Sequence, residues 1–146
     1  MLSGIHPILH GDLLAALDRL GHGDELVVAD ANFPAYRAGV EVQVAAGLDS
    51  PAVVEAIRTV VPLDAYEGAS VLLMTAEGGE RLAVQHDLVV AADAPGERVD
   101  ELGRFAFYER AVQARLVVRT GELRAYGNVI LRKGVVNAFR SPGAAR

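Results

Sequence analysis

Glu25-Leu26-Val27-Val28-Ala29-Asp30 is a short apolar run opened and closed by a carboxylate. Its middle has no polar alternation, which is the pattern of a strand covered on both faces rather than one face of a solvated sheet. The residues just upstream read differently. Leu13, Leu14, Leu17 and Leu20 fall on one helical face and Gly21 supplies a stop, so a helix leads into this strand. A helix followed by a doubly covered strand is the first unit of an α/β architecture.

Downstream the same alternation continues. Asn32-Phe33-Pro34-Ala35 must leave the sheet, because proline has no N–H for a ladder and restricts the residue before it. Val40 to Ala45 reads as a strand. Asp49-Ser50-Pro51 then reads as a helix start with proline at the first helical position, and Val53, Val54, Ile57, Val60 and Val61 form the expected buried stripe. Ser70 to Thr75 is a further central strand. Between Glu77 and Val99 the apolar residues satisfy neither period, so helix and extended chain both remain open there. Arg104 to Ala111 leads a helix, Leu116 to Arg119 a strand, and Val129-Ile130-Leu131 a last strand after the turn at Gly127.

This order predicts an α/β chain folded as a three-layer α/β/α sandwich around a largely parallel, mixed central sheet. The short connection from Thr120 to Asn128 is compatible with one late antiparallel strand. The 146 residues fit one domain spanning 1–146, with 136–146 expected to form a loose tail.

Composition narrows the function classes. Apolar residues make up 51% of the chain, yet none of its runs approaches the roughly 20 needed to cross a bilayer, so no membrane partner is expected. The start carries no basic segment ahead of a long apolar stretch, and a cytoplasmic location is the default expectation. There are no cysteines, so disulfide, thiolate and cysteine-metal chemistry are absent. A net charge of −5 and a pI near 5.3 disfavour a nucleic-acid partner, which would need a clustered positive surface. The late basic residues, Arg104 to Lys133, alternate with apolar ones and read mainly as solvated faces.

Other site patterns fail on context. Gly21 and Gly23 form a Gly-x-Gly, but a helix precedes and a strand follows, the reverse of a dinucleotide fingerprint. His6 and His10 are four apart across Pro7, and no further cluster completes a metal set. None of Ser3, Ser50, Ser70 and Ser141 sits in a Gly-x-Ser-x-Gly elbow.

Four blocks, taken together, resemble one family. They are Gly21-His22-Gly23-Asp24-Glu25, Asp30-Ala31-Asn32-Phe33-Pro34-Ala35, Arg104-Phe105-Ala106-Phe107-Tyr108-Glu109-Arg110-Ala111, and Tyr126-Gly127-Asn128 with the strand that follows. In this order, from about Met1 to Val135, they are similar to the fucose mutarotase and ribose pyranase family. The chain looks closer to the fucose branch, since ribose pyranases usually have histidine at the position of Arg104 and lack the Phe-Ala-Phe-Tyr-Glu-Arg pattern.

The resemblance implies a mutarotase that interconverts anomers, or pyranose and furanose forms, of a monosaccharide, with L-fucose the first expectation and no cofactor. It also implies a ring-shaped homo-oligomer, a pentamer or a decamer of two such rings. His22 is the implied proton donor. Asp30, Arg104, Tyr126 and Asn128 are the implied sugar-binding residues. The residue chemistry is compatible: an imidazole can give or take a proton near neutrality, and the guanidinium, phenol, amide and carboxylate can share hydroxyl recognition. The bland readings are that His22 caps the preceding helix and that Asp30 caps an ordinary turn.

Asn32 and Tyr36 stand where many fucose mutarotases have histidine, which bears on the sugar accepted. A noncatalytic monosaccharide-binding or regulatory protein is the competing expectation, because it would keep the same recognition residues.

Overall fold

The computed structural model describes residues 1–138; the expected loose tail lies largely outside them. Among the described residues four α-helices and six strands are formed: α1 (Gly11–Asp18), β1 (Glu25–Ala29), β2 (Glu41–Ala45), α2 (Ser50–Arg58), β3 (Val71–Met74), α3 (Ala83–Ala92), β4 (Val99–Leu102), α4 (Arg104–Ala111), β5 (Leu116–Thr120) and β6 (Val129–Arg132). The strands make one sheet in the order β2-β5-β1-β6-β3-β4. β1, β5 and β2 are mutually parallel, as are β3 and β4, while β6 runs antiparallel to both β1 and β3. The late strand is thus antiparallel, and it sits in the middle of the sheet.

Period-two alternation divides the strand side chains between two cores. Leu26, Val28, Leu73, Val118 and Leu131 face α1, α2 and α3, whereas Val27, Ala29, Leu72, Val117 and Ile130 face α4 and the Phe33–Ala35 segment. Every residue of β1 is buried, which accounts for its unbroken apolar reading. The expected three-layer α/β/α arrangement is therefore formed.

Local chemistry explains the helix ends. The Nδ1 atom of His10 accepts from the Leu13 N–H and caps α1, and His6 accepts from the Ile8 N–H. Asp49 caps α2 through the Ala52 N–H, with Pro51 at the second helical position rather than the first. Because α2 stops at Arg58, Val60 leaves the stripe and is exposed while Val61 remains buried.

The ambiguous stretch holds α3, and β4 begins at its last residue, Val99. The start of α3 lacks a Ser, Thr, Asp or Asn cap; instead Gln85 reaches back to accept the Leu82 N–H and donates to the Met74 carbonyl, tying the helix to β3. No sequence pattern marks β4 as a strand. It is a four-residue edge with Asp100 and Glu101 at its centre, which gives no apolar run to detect and protects the sheet edge from further pairing. Among the described residues no helix is long and apolar enough to cross a membrane.

Phe107 is the largest fully buried side chain, and it anchors α4 edge-on to Phe33 with ring centroids 6.1 Å apart. Phe107→Ala is expected to lower unfolding free energy by about 3–5 kcal/mol in denaturant titrations at fixed protein concentration. A loss below about 1 kcal/mol would show that this layer is not packed as described.

Candidate functional site

The carboxyl end of β1 and the start of β6 meet at one corner of the sheet, and there Asp30 and Asn128 form a reciprocal pair. The Asp30 backbone N–H donates to Asn128 Oδ1 at 2.8 Å, and Asn128 Nδ2 donates to Asp30 Oδ2 at 2.9 Å. The Asn32 N–H donates to the remaining oxygen, Oδ1, at 2.9 Å. Both side chains are buried. Burial pushes the Asp30 carboxyl above its ordinary value, with the nearby Glu122 charge acting in the same direction, against the hydrogen bonds from Asn32, Asn128 and Phe33.

Tyr126 lies on the same loop in the left-handed region, with φ of 63°. Gly127 follows because a Cβ there would lie 2.6 Å from the Glu122 side chain and 3.2 Å from the Arg124 carbonyl oxygen. Its close approach is thus to the loop's own interior. Glu122 is the loop's internal anchor: it accepts from the backbone and guanidinium of Arg124 and from the Ser50 N–H.

Arg104 opens α4, just past the carboxyl end of β4, and is exposed. Its Nε donates to the Tyr108 hydroxyl at 3.4 Å, and its guanidinium lies 5.6 Å from that ring's centroid. Tyr108 in turn packs on Phe33. Asn32 is exposed beside Asp30, while Tyr36 is exposed with the Arg119 guanidinium 5.3 Å from its ring centroid. Asp30, Asn128, Tyr126 and Arg104 thus all stand at the same end of the sheet.

His22 does not stand with them. It precedes β1, at the opposite end. Asp24 and Asp30 lie six residue steps apart along extended β1, a rise of about 20 Å. There the imidazole Nε2 lies 3.3 Å from Asp64 Oδ1, and its ring meets Tyr66 edge-on at 5.6 Å between centroids. Its ring faces Asp64, not the end of α1, which closes at Arg19. Asp64 also takes the Tyr66 N–H on Oδ1 at 3.1 Å, and Arg132 Nε is 2.9 Å from its Oδ2. The Tyr66 N–H, then the His22 hydrogen bond and the Arg132 charge, hold the Asp64 carboxyl below its ordinary value in spite of burial.

The backbone explains how residues 42 apart come together. Lys133, just past β6, accepts from the Gly23 N–H and donates to the Asp24 carbonyl; Arg132 accepts from the Asp64 N–H, and the Gly134 N–H donates to the Pro62 carbonyl. The end of β6 therefore carries both the His22 turn and the Asp64 segment.

A cavity of about 520 Å³ opens beside Asp64, lined also by Arg58, Ser70 and Arg98. Neither His22 nor Asp30 lines it. Among the described residues no cluster of three or more His, Asp or Glu side chains is placed to hold a metal ion.

A family model described as the RbsD / FucU transport protein family matches residues 3–136. The chain belongs to this family. An L-fucose mutarotase of Histophilus somni (strain 2336) is 42% identical over 140 residues, covering 92% of this chain and 97% of that protein. The L-fucose mutarotase of Haemophilus influenzae (strain 86-028NP) is 43% identical with the same coverage. The crystal structure of the fucose mutarotase from Streptococcus pneumoniae in complex with L-fucose superposes with a TM-score of 0.86 at 33% identity, covering 93% of this chain and all of that one.

For this RbsD / FucU family member, sequence reading selected His22, Asp30, Arg104, Tyr126 and Asn128 but missed Asp64, Tyr66, Arg132 and Glu122. Arg132 and Arg124 do more than solvate a face: both pair with buried carboxylates, as Arg110 does with Glu25. A lone aspartate after Pro62-Leu63 carries no pattern that would single it out.

Hydrogen bonds from Arg124 hold the Glu122 carboxyl below its ordinary value of 4.5. A depressed native value means that the unfolded chain binds the proton more readily, so this stabilisation is present above about pH 4.5 and is lost as pH falls through the native value. Native protein is expected to lose more stability between about pH 6 and about pH 3 than Glu122→Gln in chemical denaturation. Parallel pH profiles would contradict the assignment.

Proposed function

We propose that the chain is a sugar mutarotase that interconverts the anomers of a monosaccharide, L-fucose first, by ring opening and closure. The observation that carries this is a half-exposed imidazole held by a buried carboxylate, His22 on Asp64, in a chain whose relatives include L-fucose mutarotases.

The chemistry needs one mobile proton. His22 takes the proton of the anomeric hydroxyl as the bond between C1 and the ring oxygen breaks; the electron pair goes to the ring oxygen, which receives the proton from the imidazolium. Rotation about the C1–C2 bond and the reverse steps give the other anomer, with no net proton change. General acid–base catalysis of this kind contributes typically 10²–10⁴-fold. Asp30, Asn128, Tyr126 and Arg104 supply acceptors and donors for the sugar hydroxyls. The Asp30–Asn128 pair is buried and reciprocally hydrogen-bonded, whereas Arg104 and Tyr126 are more open to solvent.

One copy cannot present both sets to one sugar, because they lie at opposite ends of β1. The reading therefore includes a homo-oligomer in which His22 of one copy faces the Asp30 corner of the next. Surface composition supports this: Phe105 and Leu123 are 80% and 81% exposed at the Asp30 end, and Tyr66 is 68% exposed beside His22. A contact between two different patches repeats head to tail and closes a ring when the rotation permits, here a pentamer or a pair of stacked pentamers. A cytoplasmic site of action, on a free monosaccharide, belongs to the same reading. Exposed Asn32 beside Asp30 is the residue best placed to tune which hydroxyl configuration is accepted.

Exchange NMR on L-fucose and D-ribose is expected to show anomer exchange faster than buffer, and about 100-fold slower with His22→Ala. Sugar binding without any acceleration would favour the noncatalytic receptor instead. Co-assembling inactive His22→Ala and Asn128→Ala subunits should restore part of the activity; no recovery in proven mixed assemblies would sink the shared site.

A further inference from the structure

The pairing of His22 with Asp64 constrains more than position, because a carboxylate is an acceptor only. Asp64 is buried, at 7% side-chain exposure, while His22 is at 50%, so the pair has an inner, fixed member and an outer, accessible one. The Tyr66 N–H on Oδ1 favours the charged carboxylate most, and the Arg132 guanidinium, with Nε 2.9 Å from Oδ2, adds a positive charge beside it. Any nitrogen facing Oδ1 must bring a hydrogen. The nitrogen observed there is Nε2, at 3.3 Å. On another side, the Tyr66 ring stands at 63° to the imidazole plane and limits its rotation.

We propose that Asp64 is the positioning residue of the site: it holds the neutral imidazole of His22 as the Nε2–H tautomer, leaving Nδ1 bare as the atom that exchanges the proton with the sugar. The role of Nδ1 rests on the mutarotase reading; the tautomer does not. The arrangement is built in by the backbone, since the His22 turn and the Asp64 segment are both bonded to residues 132–134 at the end of β6. When Nδ1 takes up the anomeric proton, the resulting imidazolium lies against a carboxylate already in place, so no group has to reorganise to stabilise it. Arg132 stands one step further back, as a positive charge beside Asp64 Oδ2.

The groups facing the ring pair are Asp64, Tyr66 and, through Asp64, Arg132. An amide at position 64 presents either an oxygen or an NH₂ to Nε2, and the NH₂ orientation drives the ring to the Nδ1–H form, which has no bare nitrogen outward. Asp64→Asn is therefore expected to lower kcat for anomer exchange by about 100-fold with KM within about twofold, and Asp64→Glu to recover part of the loss. A merely structural role would change KM, solubility or assembly instead.

The deciding measurement is made on the native, assembled protein carrying 15N-histidine, with the His22 signals identified by their absence in His22→Gln. At a pH where the ring is neutral, we expect a single tautomer with hydrogen on Nε2 and a slowly exchanging Nε2–H signal that is lost in Asp64→Asn. An Nδ1–H tautomer, or the mixture shown by a free imidazole, overturns the inference, as does native kcat in Asp64→Asn. Because this readout needs no sugar, a protein that shows the single Nε2–H tautomer yet accelerates no anomer exchange would refute the mutarotase reading while leaving the pairing intact.

Discussion

One antiparallel strand placed between two parallel groups is the constraint on which the rest depends. β6 pairs with β1 on one side and β3 on the other, joining β2-β5-β1 to β3-β4. Because it runs against its neighbours, its first residues lie at their carboxyl ends and its last residues at their amino ends. Asn128 at one end locks Asp30, and residues 132–134 at the other carry His22 and Asp64.

The two ends differ in kind. At the Asp30 end, burial and hydrogen bonding fix a carboxylate and an amide in one geometry, which suits recognition of hydroxyl groups by shape and orientation. At the His22 end, an accessible imidazole rests on a buried charge, which suits proton transfer. Separating them along a strand gives each its own environment within one copy: a desolvated, hydrogen-bonded carboxylate at one end and a half-exposed imidazole at the other. It also leaves each end, in one copy, without a facing wall, and ties the proposed catalysis to assembly.

The strands were legible wherever they are doubly buried, because Glu25–Ala29 and Val71–Met74 have little alternative to a covered sheet. Edge strand β4 was not, since its acidic centre contributes little to the core. α3 was obscured because its capping group, Gln85, is inside the helix rather than ahead of it. Within the site, residues in short glycine-rich turns drew attention through their local pattern: His22, Tyr126 and Asn128. Asp64 and Arg132 work through pairing across 68 residues, and nothing in the local sequence of either marks the other. Their visibility depends on the register of β6. The separation of His22 from Asp30, only eight residues in sequence, was hidden for the related reason that the strand between them is extended.

In the proposed assembly one sugar is held by the Asp30 corner of one copy while the imidazole of another reaches its anomeric centre. A crystal structure of the assembled protein soaked with L-fucose tests this most directly. A shared site places the sugar between two copies, its hydroxyls on Asp30 and Asn128 and its O1 and ring oxygen within hydrogen-bond reach of a neighbouring copy's His22. A sugar seated wholly within one copy, or bound with no imidazole near C1, would contradict it.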